Sequence, residues 1–238
     1  MSLALFFIDI ATGVTHRVST VRGALVFTRP IGCWYDCGME PVSAIIQAGG
    51  QSRRMGTDKA LIDYEGRPIL AHVIDTLRQL SDDVLVVSNR SDVYGPLGGP
   101  FGARVVPDYD PPVGPLGGLA AGLAAMRHEL AVVVACDMPF LNLDLFRFLI
   151  ERAADFDAVV PLTGDQFEPL HAVYRRSCLA AIQRRLANNE RRVISFFQDV
   201  RLSVVPEAEW RAIDPTGRSL SNLNTPADLA LLKQARSG

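Results

Sequence analysis

Cysteine is scarce in this chain of 238 residues: Cys33, Cys37, Cys136 and Cys178 are the only four. They form neither a disulfide framework nor a zinc pattern, since Cys33 and Cys37 have no second pair or histidine cluster beside them. They read as reduced thiols in a reducing cytosol. Long apolar runs are missing too: nothing approaches the ~20 residues that a membrane helix needs. The opening segment from Met1 to Ile10 is apolar, but it lacks a preceding basic region and is cut by Asp9, so it is a poor signal peptide. Charge of one sign is also lacking, because the net value is −2 and advertises no polyanion such as nucleic acid. Both common phosphate loops are absent: there is no G-x-G-x-x-G, and no Gly-Lys-Ser/Thr opens a helix.

What is present is an ordinary soluble composition, 48% hydrophobic and 21% charged. A chain of this length hides roughly 70% of its unfolded surface, so it can bury a sizeable core. The first forty residues stand apart. They carry His16, Arg17, Arg22 and Arg29, few acids and no sustained period, and they read as an irregular extension over 1–40 ahead of a main domain over 41–238. A loosely packed hairpin or a targeting segment are the alternatives. Met39 lies just before the first strong strand pattern and is a candidate translation start, which would make 1–38 a non-native extension.

From Val42 onward, apolar runs alternate with amphipathic stretches. Strands are expected at 42–47, 84–88, 104–106, 131–136 and 158–161, with helices near 68–80, 116–128 and 143–154. The first, second and fourth strands are near-continuous Val, Ile, Leu and Ala, as parallel strands covered on both faces require. The alternation argues for a three-layer, doubly wound, mostly parallel sheet. A less regular portion follows, with a strand at 170–174, helices near 177–188 and 226–236, and a late edge strand at 202–205.

Four motifs fall at expected strand ends. Gln47-Ala48-Gly49-Gly50 follows the first strand, with Arg53, Arg54 and Lys59 close behind. Glycine lets backbone amides approach a phosphate, and the cations add charge-assisted contacts. Asp137, in Cys136-Asp137-Met138-Pro139, ends another buried strand, where a carboxylate is costly unless something positive meets it. A divalent cation is the natural partner, because Mg²⁺ takes one or two carboxylates plus phosphate oxygens; Asn142 is better placed to cap the next helix. Asp108 ends a third strand, ahead of Gly114, Gly117 and Gly118, which serve either an anion site or tight helix packing. Asn89 and Arg90 end the second strand. Asn222 and Asn224 precede a plain Thr225-Pro226 helix start that does not need them. His171 reads as a satisfied buried histidine, Cys136 as core, and Arg191-Arg192 as a further phosphate contact. Polar residues from several strand ends thus meet at one crevice.

The ordered set Ala48-Gly49-Gly50…Arg54-Met55-Gly56…Asp58-Lys59, Gly114-Pro115-Leu116-Gly117-Gly118, Cys136-Asp137-Met138-Pro139, Pro169-Leu170…Tyr174, Arg191-Arg192 and Asn222-Leu223-Asn224-Thr225-Pro226 resembles the molybdenum cofactor guanylyltransferase family over almost all of 42–235. The resemblance implies a Rossmann-like nucleotidyltransferase in the cytoplasm. It implies transfer of GMP from GTP, with Mg²⁺, to the phosphate of molybdopterin, with release of pyrophosphate. It also implies transient contact with molybdoenzymes or their chaperones, and no nucleic-acid or membrane partner. Carried over by position, Gln47, Ala48, Gly49, Gly50 and Lys59 hold GTP. Asn89 and Asp108 contact the nucleoside, Asp137 binds GTP and metal, and Asn222 and Asn224 face the cofactor substrate or complete the metal site. Lys59, Asp137 and Arg54 form the catalytic set. Two departures stand out: Gln47 replaces the family's usual Leu, and the second-strand contact falls at Val87 or Asn89 according to alignment. A CTP-dependent cytidylyltransferase acting on molybdopterin or a sugar or polyol phosphate is one rival, although such enzymes tend to show Ala-Ala-Gly at 48–50. A non-catalytic GTP-binding maturation adaptor is the other. The expectation for the extension is that intact mass from the natural host starts at Met39; a species beginning at Met1 overturns it.

Overall fold

A computed structural model of the protein describes residues 40–48 and 58–222 with their side chains and, by backbone alone, three strands within the first forty residues. Two compact units are present, Met1–Glu40 and Pro41–Gly238. In the first, β1 (Leu5–Ile8), β2 (Thr15–Val21) and β3 (Ala24–Thr28) form an antiparallel meander. No apolar period announces these strands; their pairing is one of backbone hydrogen bonds.

The second unit opens with β4 (Val42–Gln47), followed by the short ribbon β5 (Asp63–Tyr64) and β6 (Arg67–Pro68) and by α1 (Ile69–Leu77). Then come β7 (Asp83–Val87), α2 (Ser91–Gly98), β8 (Ala103–Val106), α3 (Pro115–Ala125) and β9 (Leu130–Ala135). The remainder comprises α4 (Leu143–Arg152), β10 (Ala158–Thr163), β11 (Gln166–Phe167), β12 (His171–Arg175), α5 (Cys178–Ala187), β13 (Leu202–Val205) and α6 (Glu207–Arg211). The sheet runs β11-β10-β12-β9-β4-β7-β8, and β13 adds to β10 in parallel. Pairs among β8, β7, β4 and β9 are all parallel, whereas β12 runs against both β9 and β10. After β8 the chain returns to the other side of β4 to form β9. That reversal makes a crevice at the carboxyl ends of β4 and β9, where an open α/β sheet takes its ligand.

The two faces follow from period-two alternation. Ile45, Leu85, Val133, Ala172 and Tyr174 join one core with α3, α5 and the 3₁₀ segment Val193–Asp199. His171 projects to the other face of β12, where Phe146 of α4 stacks on its ring at 4.4 Å. At the amino edge, buried Asp83 ties three strands together. It accepts from Ser43 Oγ (2.6 Å), the Arg127 amide (2.8 Å) and Arg104 Nε (3.1 Å). Burial alone raises its pKa, but these hydrogen bonds outweigh that and hold the carboxyl below its usual range.

The helix α2 is a departure from the sequence expectation. Its SDVYGPLG stretch contains Gly95, Pro96 and Gly98, poor helix formers, and Tyr94 (2% exposed) is what anchors it to the core. Packing overrides propensity there. His171 is a correction: the ring is fully buried as expected, but neither nitrogen has a hydrogen-bond partner, so it is not satisfied. The helix expected at 226–236 lies outside the described residues. Among the described residues, no helix is long and apolar enough to cross a membrane.

Burial pushes the pKa of His171 down to about 3, against an ordinary value of 6.5. The folded protein therefore refuses a proton that the unfolded chain accepts below pH 6.5. Stability falls as pH drops from there toward 3, because the unfolded state binds more protons across that window. Denaturant titrations at pH 7, 6 and 5 are expected to show this slope, and His171→Leu is expected to flatten it; an unchanged slope in the variant sinks the assignment.

Candidate active site

The crevice is held shut at its base by bonds that extend the ladder past the strands. The Cys136 amide donates to the Gln47 carbonyl, and the Ala48 amide to the Val87 carbonyl, each at 3.1 Å. The residues after β4 and after β9 therefore leave the sheet side by side. Lys59 reaches this place from a 3₁₀ turn, Lys59–Leu61, that Asp58 caps by accepting from the Ala60 amide at 3.1 Å. Lys59 Nζ then lies 3.1 Å from Asp137 Oδ2, across a sequence separation of 78. The pair is mostly shielded, with side chains 19% and 14% exposed.

Asp58 does a second job with its other oxygen. Oδ2 accepts from Arg90 at 2.5 Å and from the Tyr94 hydroxyl at 2.6 Å, which fastens the lysine turn to the end of β7 and to α2. Burial and then Asp58 raise the Tyr94 hydroxyl pKa far above its usual range, so it remains a donor. Cys136 is more than core filling. Burial, then Asp137, then Asp58 push its thiol up to about 12, so it stays neutral among these charges.

The other wall is built by the segment after β8 and the start of α3. Asp108 Oδ1 accepts from the amide of Tyr109 at 2.7 Å; burial raises its pKa and that amide partly opposes the rise. Asn89 Nδ2 donates to the Tyr109 carbonyl at 3.0 Å, so this side chain is engaged in pinning the loop. Gly114 precedes α3 at φ +88°, a left-handed conformation that favours glycine. A Cβ on Gly117 would sit 2.5 Å from Val113 Cγ2 and 3.5 Å from Asp108 Oδ1, and one on Gly118 would sit 3.0 Å from Gln47 Oε1. Close packing explains both glycines, and it leaves the first turn of α3 bare toward Asp108 and Gln47. Arg191 packs beside this turn, its Cβ 3.5 Å from where a Cβ on Gly114 would lie.

The structure thus gathers Gln47, Ala48, Lys59 and Asp137 at one crevice, with Gln47 and Asp108 meeting the same helical turn. Asn89 stands at the rim, and Asn222, exposed, is the last described residue. Gly49, Gly50, Arg54 and Asn224 lie outside the described residues. The sequence reading gave no role to Asp58, Arg90 and Tyr94 as a clamp. An acid directly before a turn that carries a lysine was the available signal for the cap. The long-range partners had none.

The donor set suits a hard divalent cation brought in with phosphates. One part-buried carboxylate, Asp137, stands beside the Lys59 ammonium, and such ions commonly take one or two carboxylates with phosphate oxygens and water. Among the described residues no trio of His, Cys, Asp or Glu is grouped to hold a metal. Asn142, by contrast, is structural: its side chain accepts from the amides of Asp144 (2.9 Å) and Leu145 (3.2 Å) at the start of α4.

Comparison with known proteins points the same way. The family model described as the MobA-like NTP transferase domain matches residues 44–202. A probable molybdenum cofactor guanylyltransferase of Chloroflexus aggregans is 41% identical over 199 residues, covering 81% of this chain and 93% of that protein. One from Pelotomaculum thermopropionicum is 36% identical over 191 residues, covering 80% and 91%. Among solved structures, molybdopterin-guanine dinucleotide biosynthesis protein A from Archaeoglobus fulgidus superposes with a TM-score of 0.71 at 25% identity, covering 82% of this chain and all but 1% of that one (99%).

Asn142→Ala is expected to cost ~1 kcal/mol through loss of the cap, read as a lower denaturation midpoint, with nucleotide binding retained. Loss of nucleotide binding in that variant would bring Asn142 into the site.

Proposed function

Because this chain belongs to the MobA-like NTP transferase family, we infer that it transfers GMP from GTP to the phosphate of molybdopterin and releases pyrophosphate. The observation that carries the reading is the Lys59–Asp137 contact at the mouth of the crevice. It supplies one cation and one carboxylate at a single point, which suits a triphosphate accompanied by a divalent cation. The chain is an enzyme of the nucleotidyltransferase class, and its relatives' names specify a guanylyl donor and a molybdenum cofactor acceptor.

In the proposed reaction an oxygen of the acceptor phosphate attacks the α-phosphorus of GTP. A new P–O bond forms as the bond from the α-phosphorus to the bridging oxygen breaks, and that oxygen leaves with pyrophosphate. No side chain becomes covalent, since such transfers run on positioning and charge neutralisation. Lys59 neutralises phosphate charge, and the Asp58 clamp holds its turn at the strand end. The backbone at Gln47, Ala48, Gly49 and Gly50 offers amides to the phosphates, and Arg54 adds positive charge. Asp108 and the rim at Asn89 take the nucleoside, while Asn222 and Asn224 face the acceptor. Asp137 is the residue that would hold Mg²⁺, and the bound ion would supply further neutralisation of phosphate charge. A cytoplasmic location, and brief contact with the proteins that receive the product, belong to the same proposal.

Asp137→Ala and Lys59→Ala are each expected to fold yet lose transfer by about 10²-fold or more, read as pyrophosphate released with GTP and molybdopterin. GTP with Mg²⁺ is expected to raise the melting temperature of the unaltered protein more than CTP does. Equal stabilisation by CTP would favour a cytidylyl donor, and GTP binding without pyrophosphate release would favour a non-catalytic adaptor.

A further inference from the structure

Phe140 stands where three segments of the chain meet. It follows Asp137 in the turn that leads from β9 to α4. Tyr64, in the ribbon that follows the Lys59 turn, approaches it edge-on, with ring centroids 6.3 Å apart. The two segments therefore touch twice, first through the Lys59–Asp137 pair and then through these rings. The third segment brings Arg218, whose guanidinium carbon lies 4.2 Å from the centre of the Phe140 ring.

Arg218 opens a 3₁₀ turn, Arg218–Leu220, just short of Asn222. A buried carboxylate organises that turn. Asp214 Oδ1 accepts from the Thr216 hydroxyl at 2.7 Å, and Oδ2 from the Ser219 amide at 3.0 Å. The Gly217 amide donates to the Asp214 carbonyl at 3.0 Å, with Gly217 in the left-handed region at φ +65°. The chain reverses there and presents its next residue, Arg218, to the ring. The arginine is thus placed from both ends, by the turn beneath it and by the aromatic face against its head.

Arg218 is exposed and, among the described residues, pairs with no carboxylate. Its neighbours differ: Arg211 pairs with Glu207, and Arg152 with Glu209. A cation–π contact holds a guanidinium by its charge and leaves its N–H fork available, and such a fork matches two oxygens of a phosphate. The turn that carries Phe140 runs to α4, on the face of the sheet opposite α3, whereas Asp108 borders α3. Arg218 and Asp108 therefore belong to different halves of the crevice.

Resting on the reading of the site as one for GMP transfer, we propose that Arg218, set in place by Phe140, receives the phosphate monoester of the acceptor. The proposed reaction drives one anion onto another, because the attacking phosphate oxygen must approach an α-phosphorus already ringed by negative oxygens. Lys59 and the divalent cation are taken up by the triphosphate, so the acceptor needs a cation of its own. A guanidinium fixed on the acceptor side offsets that repulsion and orients the phosphate through two N–H bonds. Arg218 touches substrate in this scheme, and Phe140 is a positioning residue that acts through it.

The test is steady-state transfer with GTP and molybdopterin varied in turn, together with the melting temperature with and without GTP and Mg²⁺. Arg218→Ala is expected to raise KM for molybdopterin about tenfold, while GTP still stabilises the variant as it does the unaltered protein. Arg218→Lys keeps the charge without the fork and is expected to fall between the two. Phe140→Leu is expected to raise KM for molybdopterin as Arg218→Ala does, and Phe140→Tyr, which keeps a ring, to restore it. If Phe140→Leu lowers the melting temperature but both KM values stay where they were, the stack is structural and the proposal fails. A rise in KM for GTP with none for molybdopterin overturns it too, since Arg218 would then serve the nucleotide. If the unaltered protein releases no pyrophosphate from GTP and molybdopterin, the failure lies in the functional reading instead.

Discussion

One contact organises the working edge of this protein: a lysine and an aspartate, far apart in sequence, meet because β4 and β9 are neighbours. Each would be expensive to leave alone in a half-buried cleft, and each relieves the other. The pair is mostly shielded, yet neither side chain is fully buried. A ligand that brings negative charge for the lysine, together with a cation for the carboxylate, can replace the contact at little net electrostatic cost. The Asp58 clamp matters for the same reason. It fixes the backbone of the lysine turn to β7 and α2 while leaving the ammonium group its reach.

The two ends of the sheet treat polar groups in opposite ways. At the amino end Asp83 is enclosed by a serine, two arginines and one backbone amide, and its pKa falls despite burial. That end is finished structure. At the carboxyl end Asp108 rises in pKa, Gln47 keeps an unpaired amide, and His171 sits dry with both nitrogens idle. Unpaired buried atoms also occur elsewhere, at Ser195 and Ser219 for example, so the contrast between the two ends rests on Asp83 and Asp108: the first is met by several donors, the second by one amide.

Much of this was legible in the residues. The parallel strands are near-continuous Val, Ile and Leu, so their number, order in the chain and burial on both faces followed from composition. Asp137 and Lys59 stood out because a carboxylate ending a buried strand demands a positive partner and a basic loop supplies one. The helix α2 was hidden, because tertiary packing of Tyr94 overrides glycines and a proline that locally argue against it. The clamp of Arg90 and Tyr94 on Asp58 was hidden as well: a hydrogen bond between residues more than thirty apart leaves no local pattern. His171 read as a satisfied core residue because burial follows from the apolar run around it, whereas partners depend on three-dimensional neighbours.

The reversed strand β12 bears on the half of the edge that lies beyond β9. Neighbouring parallel strands must be joined by long crossovers, so the half formed by β9, β4, β7 and β8 is committed to a fixed frame. β12 breaks that rule, because strands that run against each other can be joined by a short reversal. Its connection from β10, over 164–170, emerges on the same side as the ion pair. Insertions or trims in that reversal would reshape one wall of the cleft while the crossover half kept its register. The architecture thereby joins one wall that can change in length to another whose geometry is fixed by its crossovers.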